Sequence, residues 1–166
     1  MTVKEGIKQP AVLSVLKSGN KLLLLKRIKE PNKDKYTPVG GKIDPYENPV
    51  DTTIRETFEE TGIKISNPKY CGVMVESSPG KYNWICFVYL SEIEYVDPPE
   101  CNEGTLEWIE FSDLKNIPAP PTDRFIYQYV VENRTFMLNV EYDEHLNILS
   151  MYEEIEGEEL NIKNEL

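Results

Sequence analysis

The chain has 166 residues, 40% hydrophobic and 28% charged, the proportions of one soluble globular domain. Its 18 basic and 29 acidic residues give a net charge of −11, which disfavours binding to a nucleic-acid polymer. The sequence has no apolar run of about 18 residues, no apolar signal core and no C-x-x-C pair among its 3 cysteines. We therefore expect a cytoplasmic protein without a membrane partner, a disulfide framework or a zinc ribbon.

The first half of the chain predicts a β-hairpin, an irregular loop and a helix. Two apolar runs at residues 11–17 and 21–27 flank a Ser-Gly-Asn turn and are typical of paired strands. The stretch YTPVGGKIDPYENP is rich in Gly and Pro and predicts an unusual backbone path. A helix is predicted over residues 49–61, because Asn48 suits the N-cap, a proline follows it, and Gly62 suits the C-terminal stop.

The second half predicts further strands and one late helix. Strands are expected at residues 69–77, 82–94 and 105–111, a helix at 123–133, and a closing hairpin at 135–143 and 146–155. Hairpins combined with two separate helices indicate an α/β (α+β) fold with a mixed β-sheet. We assign a single domain to residues 1–156 and an acidic tail, expected to fray, to residues 157–166.

Three glutamates share one side of the first predicted helix. At about 100° per residue, Glu60 lies about 40° to one side of Glu56, and Glu59 lies about 60° to the other. The opposite side, which we expect to be buried as an apolar stripe, consists of Val50, Ile54 and Phe58.

This acidic patch is electrostatically unfavourable for the helix. Like charges three and four residues apart repel, and the C-terminal end of a helix disfavours anions. A solvated acidic face is the plain interpretation of such a patch. A divalent cation such as Mg²⁺, which prefers oxygen ligands and combines carboxylates with substrate phosphate, would relieve the repulsion.

The spacing around the patch follows the pattern G-x5-E-x7-R-E-U-x-E-E-x-G-U, where U is aliphatic. Its fixed letters are Gly41, Glu47, Arg55, Glu56, Glu59, Glu60 and Gly62. The stretch resembles the box of the Nudix hydrolases, which cleave nucleoside diphosphates linked to another group, X. Two positions depart from the family: Thr57 stands at the first U, and Tyr46 stands where glycine is common. On the helical wheel Thr57 lies at the edge of the buried stripe, where its hydroxyl can bond backward to the backbone.

The resemblance implies a fold and a metal site. The fold is a mixed β-sheet sandwiched between helices. The implied cofactor is Mg²⁺, with Mn²⁺ as an alternative, and Glu56 is either a ligand or a group that orients water. Arg55 is expected to pair with Glu47 and to hold the loop against the helix. The implied metal ligands are the carbonyl of Gly40 and the carboxylates of Glu56, Glu59 and Glu60, with Gly41, Glu47 and Gly62 as structural support.

The implied reaction is attack of water on a phosphorus of a bridged diphosphate. Glu56, Glu59 and Arg55 are assigned to the catalytic machinery by resemblance. A loop glutamate is often the general base in this family, and Glu103 occupies a suitable place before a strand. Glu100 and Glu107 are competitors for the same role, and a plain surface carboxylate is the alternative for each.

A further likeness concerns the substrate. The box region and the C-terminal half resemble the MutT-type branch, which hydrolyses oxidised purine nucleoside triphosphates such as 8-oxo-dGTP. By that resemblance Asp123 binds the purine edge, with helix N-capping as its alternative role, and Lys42 contacts the substrate. The stretch PAPPTD before Asp123 lacks the tryptophan common in relatives. The aromatic residues that could stack on the base instead are Tyr36, Tyr82, Trp84, Phe125 and Tyr127.

Other functions stay open at this point. The same chemistry could act on a nucleotide sugar or a dinucleoside polyphosphate. A non-catalytic nucleotide-sensing or protein-binding module is less favoured, because the box carboxylates are retained. The sequence VGGK lacks the spacing of a P-loop, and His145, the only histidine, falls in a predicted surface turn. We expect a nucleotide substrate as the partner, with the chain a monomer or a homodimer.

Overall fold

The computed structural model describes residues 4–162, which form one mixed 11-stranded β-sheet and two α-helices. In chain order the elements are β1 Gln9–Ser18, β2 Lys21–Arg27, β3 Tyr36–Thr37, β4 Val39–Lys42, α1 Pro49–Thr61, β5 Lys69–Ser77, β6 Trp84–Glu92, β7 Glu100–Cys101, β8 Gly104–Glu110, a 3₁₀ turn Phe111–Asp113, α2 Pro121–Val131, β9 Phe136–Tyr142, β10 Ile148–Glu153 and β11 Glu158–Glu159. The strand order is β11-β10-β9-β5-β6-β1-β2-β8-β7, with β3 paired to β2 and β4 to β1. The β1–β6 and β5–β9 pairs are parallel, which confirms the predicted α/β (α+β) class with a mixed sheet.

Both faces of the sheet are covered, as the leucine run in β2 shows. Leu22 and Leu24 belong to the larger core, which also holds the apolar residues of α2. Leu23 and Leu25 belong to a second core on the opposite face, against which Ile54 of α1 packs. Since side chains alternate between the faces of a strand, a continuous apolar run predicts burial on both sides. The sheet is therefore sandwiched between the helices.

Helix α1 packs on the sheet through threonines. Thr52, Thr53 and Thr57 are fully buried, whereas Val50 and Phe58 are 37% and 48% exposed. The prediction of a buried apolar stripe at Val50, Ile54 and Phe58 is therefore wrong; of these, only Ile54 is partly buried against a core cluster.

Hydrogen bonds within α1 make this polar face compatible with burial. The Thr53 hydroxyl donates to the carbonyl of Pro49 at 2.7 Å, and the Thr57 hydroxyl donates to that of Thr53 at 2.7 Å. The predicted backward bond of Thr57 is thus confirmed, and its oxygen also lies 2.7 Å from Ser14 Oγ on β1. Short side chains with satisfied hydroxyls let the helix lie close to the sheet.

The helix ends follow capping chemistry, with one correction. Asn48 accepts a hydrogen bond from the Asp51 amide, and Gly62 ends α1 at φ 72°, as predicted. Helix α2 begins at Pro121, so its N-cap is Pro120 and not Asp123. Proline tolerates the first helical position because its missing N–H has no partner there. Asp123 consequently lies inside the first turn.

The C-terminal hairpin extends the sheet. Strand β9 pairs with β5, and β10 pairs with both β9 and β11. Part of the expected acidic tail, Glu158–Glu159, is thereby paired in the sheet as β11, whereas residues 163–166 lie outside the described residues. His145 lies in the exposed turn between β9 and β10. No described helix has both the length and the apolar character needed to cross a membrane.

Candidate active site

Arg55 on α1 ties the preceding loop to the acidic helix face. Its Nε and Nη2 each lie 2.9 Å from a different oxygen of Glu47, the bidentate pairing expected from the sequence. Its Nη1 lies 2.9 Å from Glu56 Oε1 and 3.2 Å from Glu59 Oε2, and its Nη2 donates to the carbonyl of Lys42 at 3.3 Å. The hydrogen bond from Arg55 lowers the pKa of Glu47. One guanidinium thus fixes the loop and two helix carboxylates.

Two consecutive glycines let the β4 backbone approach the helix. A Cβ on Gly41 would lie 2.3 Å from Cδ of Glu56, and one on Gly40 would lie 2.1 Å from the carbonyl oxygen of Val12. The Gly40 amide donates to Glu60 Oε2 at 3.3 Å. A larger residue at position 40 would separate the loop from the β1 backbone, whereas one at position 41 would displace the carboxylate of Glu56, the end of a flexible side chain.

Tyr46 adopts a conformation that explains why glycine is common at its position. Its φ is 67°, in the left-handed region that side chains with a Cβ rarely enter. The side chain is fully exposed, so it meets no steric obstacle. The loop thus keeps a glycine-like backbone with a tyrosine in place.

Glu60 lies in an environment that disfavours its negative charge. The pKa of Glu60 is raised to about 7 by burial and by the nearby carboxylates of Glu56 and Glu103, against the opposing effects of the Gly40 amide and Arg27. Burial likewise raises the pKa of Glu56, and Arg55 opposes that rise. The carboxylates are therefore short of compensating positive charge.

The donor set fits a divalent cation by its chemistry. Glu56, Glu59 and Glu60 offer carboxylate oxygens next to a backbone loop, and Mg²⁺ prefers oxygen ligands. Within residues 4–162, no three His, Cys, Asp or Glu side chains are already gathered as a metal cluster. Instead, Arg55 holds Glu56 and Glu59, while Glu60 accepts from Gly40. Cation binding would thus compete with existing hydrogen bonds.

A cleft of about 1200 Å³ leads from the box into the sheet and is lined by Gly40, Gly41, Lys42 and Glu60 at the box. Arg27, Lys35 and Lys42 supply positive charge to its walls, in contrast to the net charge of −11 for the chain. Arg27 influences the carboxyl groups of both Glu60 and Asp123. A chain of phosphates entering this cleft would meet cations on its way.

Asp123 lies in the same cleft, which makes it a candidate for contacting a ligand. It is 7% exposed and accepts a hydrogen bond from the Thr122 hydroxyl at 3.2 Å. Burial, together with the charge of Glu76, raises the pKa of Asp123 to about 7. Lys42 also lines the cleft, with its Nζ 5.8 Å from the centre of the Trp84 ring.

The cleft selects among the five aromatic candidates. Tyr82 and Trp84 line it, whereas Tyr36, Phe125 and Tyr127 are buried in the larger core. The Tyr127 hydroxyl donates to the carbonyl of Tyr36 at 2.8 Å, which ties both to the interior. Tyr82 and Trp84 are thus the two candidates left for stacking on a base.

The three candidate general bases have different surroundings. Glu103, in the turn between β7 and β8, is close enough to raise the pKa of Glu60. Glu107 accepts a hydrogen bond from the Tyr36 hydroxyl at 2.6 Å, and Glu100 is exposed on β7. These contacts favour Glu103, whose assignment as the base stays a prediction.

The polar residues of the cleft that sequence reasoning missed include Arg27, Lys35, Glu76 and Tyr142. A signal for Glu76 was present, because it alternates with Met74 on β5, and both are 3% exposed. A glutamate in register with a core residue is unusual, since Glu is rarely buried. Nothing local distinguishes Arg27 or Tyr142 from other strand residues.

The fold and this loop–helix site define the Nudix class: the model of the NUDIX domain matches residues 7–130, and the chain belongs to that family. The chain is accordingly a hydrolase of the phosphorus-anhydride kind. It is 31% identical over 126 residues to the Nudix hydrolase YvcI of Bacillus subtilis, which covers 72% of this chain and 77% of YvcI.

More distant relatives carry specific names. The NAD-capped RNA hydrolase NudC of Salmonella heidelberg is 25% identical over 81% of this chain, and the match spans 50% of the length of NudC. The crystal structure of a MutT protein from Bacillus halodurans superposes with a TM-score of 0.76 at 26% identity, covering 88% of this chain and 97% of that protein. The NUDIX domain of Shewanella oneidensis NrtR, crystallised with ADP ribose, shares the fold at 17% identity and a TM-score of 0.65, over 76% of this chain and 88% of that one.

Proposed function

We propose that this chain hydrolyses an oxidised purine nucleoside triphosphate, such as 8-oxo-dGTP, to the monophosphate and pyrophosphate with a divalent cation. The observation that carries the proposal is the continuity of the cleft, which is lined by Glu60 at the box and by the buried Asp123 of α2 at its inner end. A triphosphate at the box end would place its base near Asp123. The likeness to the Bacillus halodurans MutT protein supports the same substrate class.

At the box end, Gly40, Glu56, Glu59 and Glu60 are the residues that would hold Mg²⁺ or Mn²⁺. When bound, such an ion supplies charge neutralisation of phosphate oxygens and activation of water. Arg55 and Glu47 position the carboxylates through the hydrogen bonds described above. Glu103 is proposed to accept the proton of the attacking water. The cationic side chains of Arg27, Lys35 and Lys42 line the cleft and would face the phosphates of a bound substrate.

At the inner end, Asp123 is proposed to receive hydrogen bonds from the purine edge. Its buried position allows it to discriminate between bases, since an unmatched polar group there would stay unpaired. Trp84 or Tyr82 is proposed to stack on the base. This division assigns bond cleavage to α1 and its loop, and substrate choice to the sheet and α2.

A substrate panel tests the proposal. We would measure kcat/KM with Mg²⁺ for 8-oxo-dGTP, dGTP, ADP-ribose, a dinucleoside polyphosphate and NAD. A clear preference for 8-oxo-dGTP is expected. A preference of less than a few-fold over dGTP and the other compounds would reject the oxidised-purine assignment while leaving the hydrolase intact.

A second candidate is the same chemistry on a dinucleotide or nucleotide sugar. It is favoured by the absence of an aromatic residue in PAPPTD and by the similarity to NudC, whose name refers to NAD-capped RNA. The highest kcat/KM on NAD or ADP-ribose would support it. A non-catalytic sensing module is disfavoured by the retained carboxylates, and turnover of no substrate in the panel would revive it.

A further inference from the structure

Glu76 is a buried acid inside the cleft that no part of the proposed cleavage reaction uses. It is 3% exposed, and burial raises its pKa. The Tyr142 hydroxyl donates to its Oε1 at 2.6 Å, and the Tyr82 hydroxyl lies close enough to lower the pKa of Glu76. Lys8 donates to the backbone carbonyl of Glu76 and not to its side chain.

Neutral hydroxyl groups are the hydrogen-bond partners of the two acids, while the charges of Lys8 near Glu76 and of Arg27 and Lys35 near Asp123 act without a direct ion pair. Within residues 4–162, no lysine or arginine forms an ion pair with the carboxylate of Glu76 or of Asp123. Buried carboxylates are normally paired, because an uncompensated charge in the interior is unfavourable. The cleft therefore contains an acceptor-rich end whose partners are hydroxyl groups alone.

The surroundings of Glu76 are aromatic. Trp84 on β6 is its partner in the β5–β6 register, so both side chains are on the same face of the sheet. The Tyr82 ring lies edge-on to Trp84, with centroids 6.3 Å apart, and edge-on to Tyr142 at 5.6 Å. Such walls suit a flat heterocycle, which stacks on a ring and presents its polar edge to the carboxylates.

Part of this end comes from outside the segment that the family model matches. Val140 of β9 pairs with Glu76 in the parallel β5–β9 register, and Tyr142 follows two residues later on the same face. The family match ends at residue 130. The tyrosine that orients Glu76 is therefore supplied by the C-terminal hairpin.

We propose that Glu76 is a specificity-determining residue that, together with Asp123, accepts hydrogen bonds from a flat base edge carrying adjacent N–H donors. The N1–H and 2-amino group of guanine and 8-oxoguanine form such an edge. This inference rests on the proposed function, because it places the base of the nucleotide at the inner end of the cleft. Where both carboxyl groups are ionised, a base that presents only acceptors there would find no matching donor.

Binding of monophosphates tests the inference without requiring turnover. By calorimetry, wild-type protein is expected to bind dGMP roughly tenfold more tightly than dIMP, which lacks only the 2-amino group. It should disfavour 1-methyl-dGMP to a similar degree, because the N1 donor is blocked. Equal affinity of the wild-type protein for all three ligands would overturn the inference, whatever the variants do.

Two variants assign the effect to Glu76. Glu76→Gln exchanges one acceptor oxygen for a donor, so the dGMP preference should fall below about twofold while dIMP binding changes little. Glu141→Gln, at an exposed position on β9, is the control and should keep the wild-type preference. An unchanged preference in Glu76→Gln, or equal weakening of all three ligands, would assign Glu76 to the scaffold and reject the inference.

The outcome can be separated from that of the proposed function. If dGMP is preferred over dIMP but 8-oxo-dGTP is not hydrolysed, the substrate or reaction proposed above is wrong and the acceptor role of Glu76 stands. If 8-oxo-dGTP is hydrolysed but the monophosphates bind alike, the reaction stands and the role of Glu76 is rejected.

Discussion

The two ends of the cleft hold their acidic side chains in different ways. At the outer end, Arg55 forms ion pairs with Glu47, Glu56 and Glu59. At the inner end, Glu76 and Asp123 receive only hydroxyl donors from within the described residues. A guanidinium fixes geometry through charge and several parallel hydrogen bonds, whereas hydroxyl groups hold a carboxyl group without a directly paired cation. The outer end is thus built for rigid placement, and the inner end for recognition by a ligand.

The largest expected effect is at Glu60, which lies at the outer end. Glu60→Gln should lower kcat/KM about a thousandfold and abolish saturable Mn²⁺ binding, because a proposed metal ligand loses its charge. The exposed Glu94→Gln is the control and should behave as wild type. Wild-type turnover by a folded Glu60→Gln protein would show that Glu60 has no part in the reaction.

Rigidity at the outer end is tested at Arg55. A lysine cannot reproduce the bidentate pairing with Glu47 while also reaching Glu56, so Arg55→Lys should lower kcat/KM roughly 10- to 100-fold. The matched control Arg134→Lys alters an exposed pair with Glu132 and should leave kinetics unchanged. If Arg55→Lys retains full activity, the contrast between a rigid outer end and a receptive inner end fails.

Substitutions at Gly40 and Gly41 should have different main effects, one on the stability of the fold and the other on the geometry of the site. Gly40→Ala meets the backbone of β1 and should lower the free energy of unfolding by about 2 kcal/mol or more. Gly41→Ala meets the Glu56 carboxylate, so its main effect should be on kcat, about tenfold, with a smaller loss of stability. Gly80→Ala, whose Cβ would have only a Ser78 contact at 4.0 Å, is the control. Urea unfolding and kinetics of all three variants check the ordering.

A smaller effect is expected from Asp123 at the inner end, on the pH dependence of the free energy of unfolding. The folded-state pKa of Asp123 is about 7 against an ordinary 3.8, so the native state binds a proton that the unfolded state has released. The corresponding stabilisation is present below the ordinary pKa and is lost as pH rises to about 7. Asp123→Asn should remove this pH-dependent part of the free energy of unfolding. Urea unfolding of both proteins at pH 4 to 8, without divalent cations, would measure the difference.

The control for that experiment is Asp113→Asn at an exposed position. It should leave the pH dependence of the free energy of unfolding as in the wild type. Identical curves for wild type and Asp123→Asn would contradict the environment described for Asp123 and weaken the view of the inner end as uncompensated.

Two predictions made from the sequence fail for physical reasons. Periodicity predicted that Val50 and Phe58 face the core, but threonines, whose hydroxyls bond back within α1, allow a closer contact with the sheet. The two prolines before Asp123 are typical of a break in the chain, which makes N-capping the alternative role predicted for Asp123. Proline in fact opens α2. The polarity of the threonines suggested exposure, and the prolines suggested the end of an element. Tertiary packing overrode both local signals.

The sequence by itself determined the outer end, because its residues are close along the chain: helix capping, the spacing of carboxylates on α1 and the Gly-Gly loop depend on local geometry. It also determined the fold class and, through the box, the family. Only the tertiary structure decided the inner end. Pairing of β5 with β9 places Tyr142 against Glu76, 66 positions apart, and the folding of α2 places Asp123 in the same cleft. Such proximity depends on strand register between distant segments, which no local pattern encodes.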